Sequence, residues 1–250
     1  MEVGDRFQTN NSGELEIVEY IGWRKVKVRF VETGSEKWAQ RIQIEKGKVS
    51  DPYLPHLHGI GYVGSGDYTT RVGNKKTRCY CLWSGMLSRC YNKRDWRYPC
   101  YGGCGITVCP DWHNFQNFAR WYHENYKPDM EIDKDVVNPL SKEYSPEDCR
   151  FIPPRLNKLI RKQSTISKDL PIGVTKTRYG KYYVQVKTTK KSQYIGTYEV
   201  LDDAVSAYCK AKKERISEVA EEEYLAGNID RDVYESLLSW EVRSYGEYNE

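Results

Sequence analysis

Apolar residues in this chain change period several times, and that limits it to several small cores instead of one large one. At residues 25–30, Val26, Val28 and Phe30 alternate with Lys25, Lys27 and Arg29, the period-2 pattern of a half-buried strand, and Thr33-Gly34 forms a turn after the run. Leu15, Ile17 and Val18 precede it as a further strand-like piece. At 111–126 the period lengthens. Trp112, Phe115, Phe118, Ala119 and Tyr122 fall on one face of a helix that Asp111 is placed to cap. "IGVTKTRYGKYYVQVKTTKKSQYIGTY" then reads as three short strands, with turns near Tyr179-Gly180 and Thr189–Lys191. "VLDDAVSAYCKAKKERISEVAEEEY" reads as a helix with Ala204, Ala207, Tyr208, Ala211 and Ile216 inward. Asp202 and Asp203 lie in its first turn, where negative charge suits the helix dipole. Aromatics make up 13% of the residues, too many for a disordered chain. A mean hydropathy of −0.78 fits small cores anchored by Trp and Tyr better than one aliphatic core.

These patterns divide the 250 residues into an α+β, multi-module chain. Residues 1–53 read as an SH3-like β-barrel and 54–78 as a glycine-rich connector. Residues 79–165 form a central unit, 166–225 a sheet with one helix, and 226–250 an acidic C-terminal helix and tail, with the helix expected over 229–242. The connector contains "GIGYVG", which satisfies G-x-G-x-x-G at Gly59, Gly61 and Gly64. It lacks the buried strand before and the helix after that a dinucleotide loop requires, so a connecting loop or hairpin is expected. In the central unit Leu82, Met86 and Cys90 recur at helical spacing, while Cys79 and Cys81 alternate on a strand-like stretch. There is no long-period repeat.

No apolar run approaches a membrane span, and "MEVGDRFQTN" does not read as a signal peptide, so a cytoplasmic protein is expected. Without a signal, the eight cysteines read as thiols or metal ligands, not as disulfides.

The net charge of +4 conceals an asymmetry. From Arg155 to Ile195, eleven Lys/Arg face one acid, Asp169; from Gly196 onward, six Lys/Arg face fourteen Asp/Glu. A dense basic block with interleaved tyrosines is the footprint of a polyanion partner.

Within that block, "GV" at 173–174, "GKYYVQV" at 180–186, "YIGTY" at 194–198 and "DDAVSAYCKAK" at 202–212 resemble the AP2/ERF DNA-binding domain. The resemblance implies a three-stranded antiparallel sheet, backed by one helix, laid in the major groove of double-stranded DNA. Lys176, Arg178, Lys181, Tyr183, Gln185 and Lys187 then divide into two sets, one toward DNA and one toward the helix. Lys190 and Lys191 add charge at the second turn.

The central unit is similar to HNH endonucleases of bacteriophage and self-splicing introns, on "WSGMLSRCY" at 83–91, "YGGCGITVCPDW" at 101–112 and "YSPEDCRF" at 144–151. That resemblance implies a ββα-metal fold holding one Mg²⁺ or Mn²⁺, which nicks DNA in the cytoplasm of a bacterial host. Asp133 takes the place of the metal-binding acid, Lys134 that of the histidine base, and Asp148 that of the Asn tying the hairpin. Asn157 takes the place of the metal-binding residue on the helix. Asp135, two residues along from Asp133, is placed to assist as a third ligand. Asp133 and Asn157 supply the two oxygens that such an ion typically takes from protein. Lysine is a poor base at its ordinary pKa, and two neighbouring carboxylates raise it further in the metal-free protein. Lys134 would instead hold phosphate, with water activated on the metal. Two alternatives to a metal-dependent nuclease stand beside it. One is a non-catalytic DNA-binding regulator that retains the fold; the other is a phage protein that sequesters a host protein through its acidic tail.

Cys100, Cys104 and Cys109 surround a glycine turn, and Cys149 falls on the proposed second hairpin strand. Their spacing is looser than a zinc knuckle's, so buried thiols are expected ahead of zinc. His56, His58, His113 and His123 fall in no ligand or nucleophile pattern; His56 or His58 is the remaining source of a base.

Overall fold

The computed structural model describes residues 1–160, 170, 173–187 and 192–242. It is a mixed α+β chain of several small sheets, and its contacts divide it into two compact units. The first comprises Met1–Glu124 with Lys142–Ser145; the second comprises Asn125–Ser141 with Pro146–Glu250. Residues of the span 79–165 therefore fall in both units, and 125–141 and 146–160 share theirs with the three-stranded sheet.

In the first unit, β1 (Arg6–Gln8), β2 (Glu14–Gly22), β3 (Lys25–Phe30) and β4 (Glu36–Ala39) form one antiparallel sheet in chain order. The period-2 pattern is realised. Leu15, Ile17, Val26, Val28 and Phe30 are fully buried on one face, and the short helix α1 (Arg41–Glu45) closes over them through Ile44. The expected SH3-like barrel does not close: among the described residues β1 pairs only with β2 and β4 only with β3. The edge strands are three and four residues long, and the chain leaves β4 directly into α1, which covers the core that barrel closure would otherwise seal.

A small hairpin, β5 (Arg71–Val72) and β6 (Lys75–Lys76), leads into α2 (Arg78–Tyr91). Thr77 caps that helix, its hydroxyl accepting from the Tyr80 N–H at 3.2 Å. The cap starts the helix before Leu82, so Cys79 and Cys81 lie on a helix and not on a strand; Cys79 is buried and Cys81 exposed. β7 (Thr107–Val108) follows, then α3 (Phe115–Asn125). Asp111 sits in a 3-10 turn ahead of α3 and does not cap it. Asn114 does, accepting from the Gln116 N–H at 3.0 Å. The aromatic face expected of α3 is buried, and Trp83 of α2 meets it: its indole N–H donates to the Trp112 carbonyl at 2.7 Å and its ring lies 5.4 Å from Phe115.

The G-x-G-x-x-G segment packs here as a loop. A Cβ on Gly61 would lie 2.4 Å from Leu87, and Gly64 has φ +72° against the Asn114 side chain. Gly61 thereby permits close approach to α2, and Gly64 to the residue that caps α3. β9 (Glu143–Tyr144) completes the first unit by pairing in parallel with β7. Buried Tyr144 receives a hydrogen bond from Arg89 Nε at 3.0 Å.

The second unit opens with β8 (Glu131–Asp133), which pairs antiparallel with β10 (Arg150–Ile152), followed by α4 (Pro154–Ile160). β11 (Val174–Lys176), β12 (Tyr182–Lys187) and β13 (Ser192–Tyr198) form an antiparallel sheet, and α5 (Leu201–Leu225) and α6 (Arg231–Leu238) complete the unit. α5 serves two cores. Its first turns pack on the sheet through Leu201, Ala204 and Tyr208; its later turns bury Ile216, Val219 and Ala220 against Ile152, Leu156 and Leu159 of the hairpin and α4. Gly173 has φ +80°, and a Cβ there would lie 2.3 Å from the Tyr208 ring, so this turn accepts only glycine.

Candidate nucleic-acid interface

Alternation along β12 sorts the sheet's side chains. Val184 and Val186 are buried toward α5, with Val174 and Tyr182 on the same side. Tyr183, Gln185 and Lys187 therefore face away from the helix, joined across the register by Thr175, Thr197, Tyr194 and Ser192. A bulge between Val184 and Gln185 sets Tyr194 opposite Gln185 and sends Ile195 inward. The Tyr183 and Tyr194 rings stack 5.0 Å apart, and Tyr194 shares a 3.0 Å hydrogen bond with the Thr197 hydroxyl. None of the three strands carries an acid.

The other expected DNA contacts are distributed differently. Lys176 pairs opposite Tyr182 on the helix side, its ammonium 5.8 Å from that ring. Arg178 sits in the β11–β12 turn with its guanidinium 4.6 Å over exposed Tyr179. Lys181 forms a 2.9 Å ion pair with Glu199, which lowers the Glu199 pKa. Lys190, Lys191 and the turn at 189–191 lie outside the described residues. Thr175, Tyr194 and Thr197 were not anticipated; alternation along "SQYIGTY", read against β12, is the signal that points to them.

The hairpin and α4 bring the other candidate residues together. Asp133 ends β8, and its Oδ1 accepts from the backbone N–H groups of Asp135 at 2.9 Å and Val136 at 2.8 Å. Burial, with Asp135 close by, pushes the Asp133 carboxyl up to about 6. On α4, Asn157 Nδ2 donates to Glu131 Oε2 at 2.8 Å. Glu131 lies two residues before Asp133 on the same side of β8, a position that period-2 reading of "EIDKD" exposes. Asp148 accepts from Asn138 Nδ2 at 3.2 Å, within the loop that joins the two hairpin strands.

Lys134 corrects an expectation. Its side chain is 5% exposed, and its ammonium donates to Asp135 Oδ1 at 2.6 Å and to the Ser141 carbonyl at 2.8 Å. An ammonium held this way closes the start of the hairpin loop. Asp135 is the carboxylate partner in that pair. The donors that remain on this side, Glu131, Asp133 and Asn157, are all oxygen donors, the chemistry of Mg²⁺ or Mn²⁺. Among the described residues no three His, Cys, Asp or Glu side chains group in a way that would hold a metal.

The cysteines are free thiols. Cys100 and Cys104 are exposed and Cys109 buried in the first unit; Cys149 is buried in the second. Burial pushes the Cys79 thiol up to about 12, far from a reactive thiolate. Three of the histidines have local partners. His113 Nε2 lies 3.0 Å from the Val108 carbonyl, His123 stacks on Tyr68, and His56 Nδ1 lies 3.1 Å from the Leu54 carbonyl. No helix among the described residues is long and apolar enough to cross a membrane. No family model, curated protein or solved structure matches the chain.

Proposed function

We propose that this chain binds double-stranded DNA by laying the open face of β11–β13 on the duplex. The observation that carries the reading is the composition of that face: a stacked tyrosine pair, the Gln185 amide, threonine hydroxyls and Lys187, on strands without an acid. A glutamine amide matches the paired donor and acceptor of adenine in the major groove, while a lysine at the rim meets phosphate. Tyrosines give broad contact area at low entropic cost, since two torsions fix each ring. Duplex binding titrated against salt tests the reading. Lys187→Ala weakens all sequences alike and flattens the slope of log affinity on log salt by about 0.9, one phosphate contact. Gln185→Ala instead narrows the gap between preferred and random duplex. A wild-type affinity indifferent to salt removes the proposal.

A second reading rests on the Asn157–Glu131 contact, which sets an amide from α4 beside the carboxylates of β8. In this reading the chain nicks DNA with Mg²⁺ or Mn²⁺, held by Asp133, Asn157 and Glu131. When bound, such an ion supplies charge stabilisation at the scissile phosphate. Lys134 does not act as base here, because its ammonium is buried and paired. Plasmid nicking that disappears in both Asp133→Ala and Asn157→Ala supports the reading. Nicking that survives both sinks the site, and a wild type that nicks no plasmid leaves a DNA-binding protein without catalysis.

A further inference from the structure

The β5–β6 hairpin arranges charge in a way that folding alone does not reward. Residues 71–78 hold Arg71, Lys75, Lys76 and Arg78 with no acid among them. All six residues from Arg71 to Lys76 are exposed, so the hairpin stands out from the first unit without burying a side chain. Its register sets Arg71 directly opposite Lys76. Like charges facing each other across an antiparallel pair destabilise it.

Elsewhere the protein neutralises cations of this kind. Arg6 reaches Glu14, Arg29 reaches Glu36, Arg155 reaches Glu222 and Lys181 reaches Glu199. Arg71, Lys75 and Lys76 enter no ion pair among the described residues. Arg71 donates to the Asn74 carbonyl at 3.1 Å across the turn, and the Lys76 ammonium lies 5.5 Å from the Tyr80 ring. The hairpin is nonetheless firmly rooted. The Thr77 N–H donates to the Thr70 carbonyl at 3.0 Å, continuing the ladder, and the Thr77 hydroxyl caps α2. The structure thus holds three cations on a rooted ribbon, with no carboxylate paired to any of them among the described residues.

We infer that this hairpin is a second DNA contact, gripping the phosphate backbone of the duplex through Arg71, Lys75 and Lys76. The inference rests on the DNA-binding reading and extends it from the second unit to the first. A two-stranded ribbon fits a duplex groove, and Arg and Lys on it meet phosphates without reading bases. Exposed Val72 beside Lys75 adds an apolar contact to sugar or base edge.

The test uses the full chain and a labelled duplex, with affinity measured across a salt series. The variants are a triple glutamine substitution (Arg71→Gln, Lys75→Gln, Lys76→Gln) and the charge reversal Lys75→Glu, with the sheet variant Lys187→Ala in parallel. Loss of three phosphate contacts flattens the salt slope by about 2.7 in the triple variant. The preference for one sequence over another stays unchanged, and Lys75→Glu weakens binding further than neutralisation of that residue alone. Thermal unfolding confirms the fold; its midpoint holds or rises, because a like-charge pair has been removed. If the triple variant keeps the wild-type slope while Lys187→Ala weakens binding, the hairpin inference falls and the sheet reading stands. If the triple variant loses affinity while Lys187→Ala changes nothing, the hairpin stands and the sheet reading falls. A wild type that binds no duplex overturns both.

Discussion

A single carboxylate and its neighbour carry most of what is chemically unusual in the second unit. Asp133 turns its Oδ1 back onto two backbone N–H groups and so closes the first turn of the hairpin loop. Its acidity is nevertheless weakened, first by burial and then by Asp135, so the fold favours the protonated form relative to an open chain. The stability this group contributes is therefore fully present below its ordinary value of 3.8 and is lost as pH rises through about 6. Asp133→Asn keeps an acceptor for both N–H groups and carries no charge. Measured without divalent metal, the variant's melting temperature should pull ahead of wild type as pH climbs from about 4 to 6 and hold that lead above it. A lead that is flat across the whole range would place the effect elsewhere than in Asp133 ionisation. The identity of Asp133 was legible in "EIDKD", but the orientation of Lys134 was not. Beyond the last paired residue of β8 the chain leaves strand geometry, so alternation no longer says where a side chain points. Burial of an ammonium depends on a carbonyl seven residues away, at Ser141.

Elements show the same boundary between what is local and what is not. Strand alternation at 25–30 and 182–187, the aromatic face of α3 and the helical run of α5 were all written in sequence spacing, and each is realised. Helix starts were less legible, because one side chain decides them: Thr77 moves α2 forward and Asn114 moves α3 back. Barrel closure in the first sheet was not legible, since it depends on whether the two ends of a meander meet. Least predictable was the length of service of α5, which backs the three-stranded sheet and then joins α4 and α6 in a separate core. That continuity has a consequence. Ile216 is fully buried in the later core, and Ile216→Ala should cost about 2–5 kcal/mol of stability. Because the same helix packs over Val184 through Ala204, slow-exchanging amides of β12 should lose protection in step with those of α4. Protection lost in α4 alone would mean that α5 frays into two independent helices.

At the scale of the whole chain, charge and connectivity both run between segments that are distant in sequence. The basic block from Arg155 to Ile195 reads as a partner's footprint, yet part of it is answered from within. Arg155 pairs with Glu222 and Glu223 of α5, and Lys181 with Glu199. Sequence charge counts could not separate cations reserved for a partner from cations already spent in the fold. Connectivity is less visible still. The chain leaves the second unit after Ser141, gives Lys142–Ser145 to the first, and returns at Pro146. Those four residues supply β9 and the buried Tyr144 ring. The residues flanking β9 on both sides, Ser141 and Pro146, belong to the second unit, so its folding shortens the free chain across which the strand is recruited. Once it unfolds, β9 must be recruited across the free loop of 125–141, at an extra closure cost of about 2.5 kcal/mol for a loop of this length. Leu156→Ala, a cavity in the second unit's core, should therefore raise hydrogen exchange at Thr107 and Cys109, whose amides bond to Lys142 and Tyr144. Amides in the β2–β3 ladder, which draws nothing from 142–145, should stay protected under the same conditions. Equal loss in both places would show that the first unit unfolds as a whole; no loss in either would show that β9 is held without help from the second unit's fold.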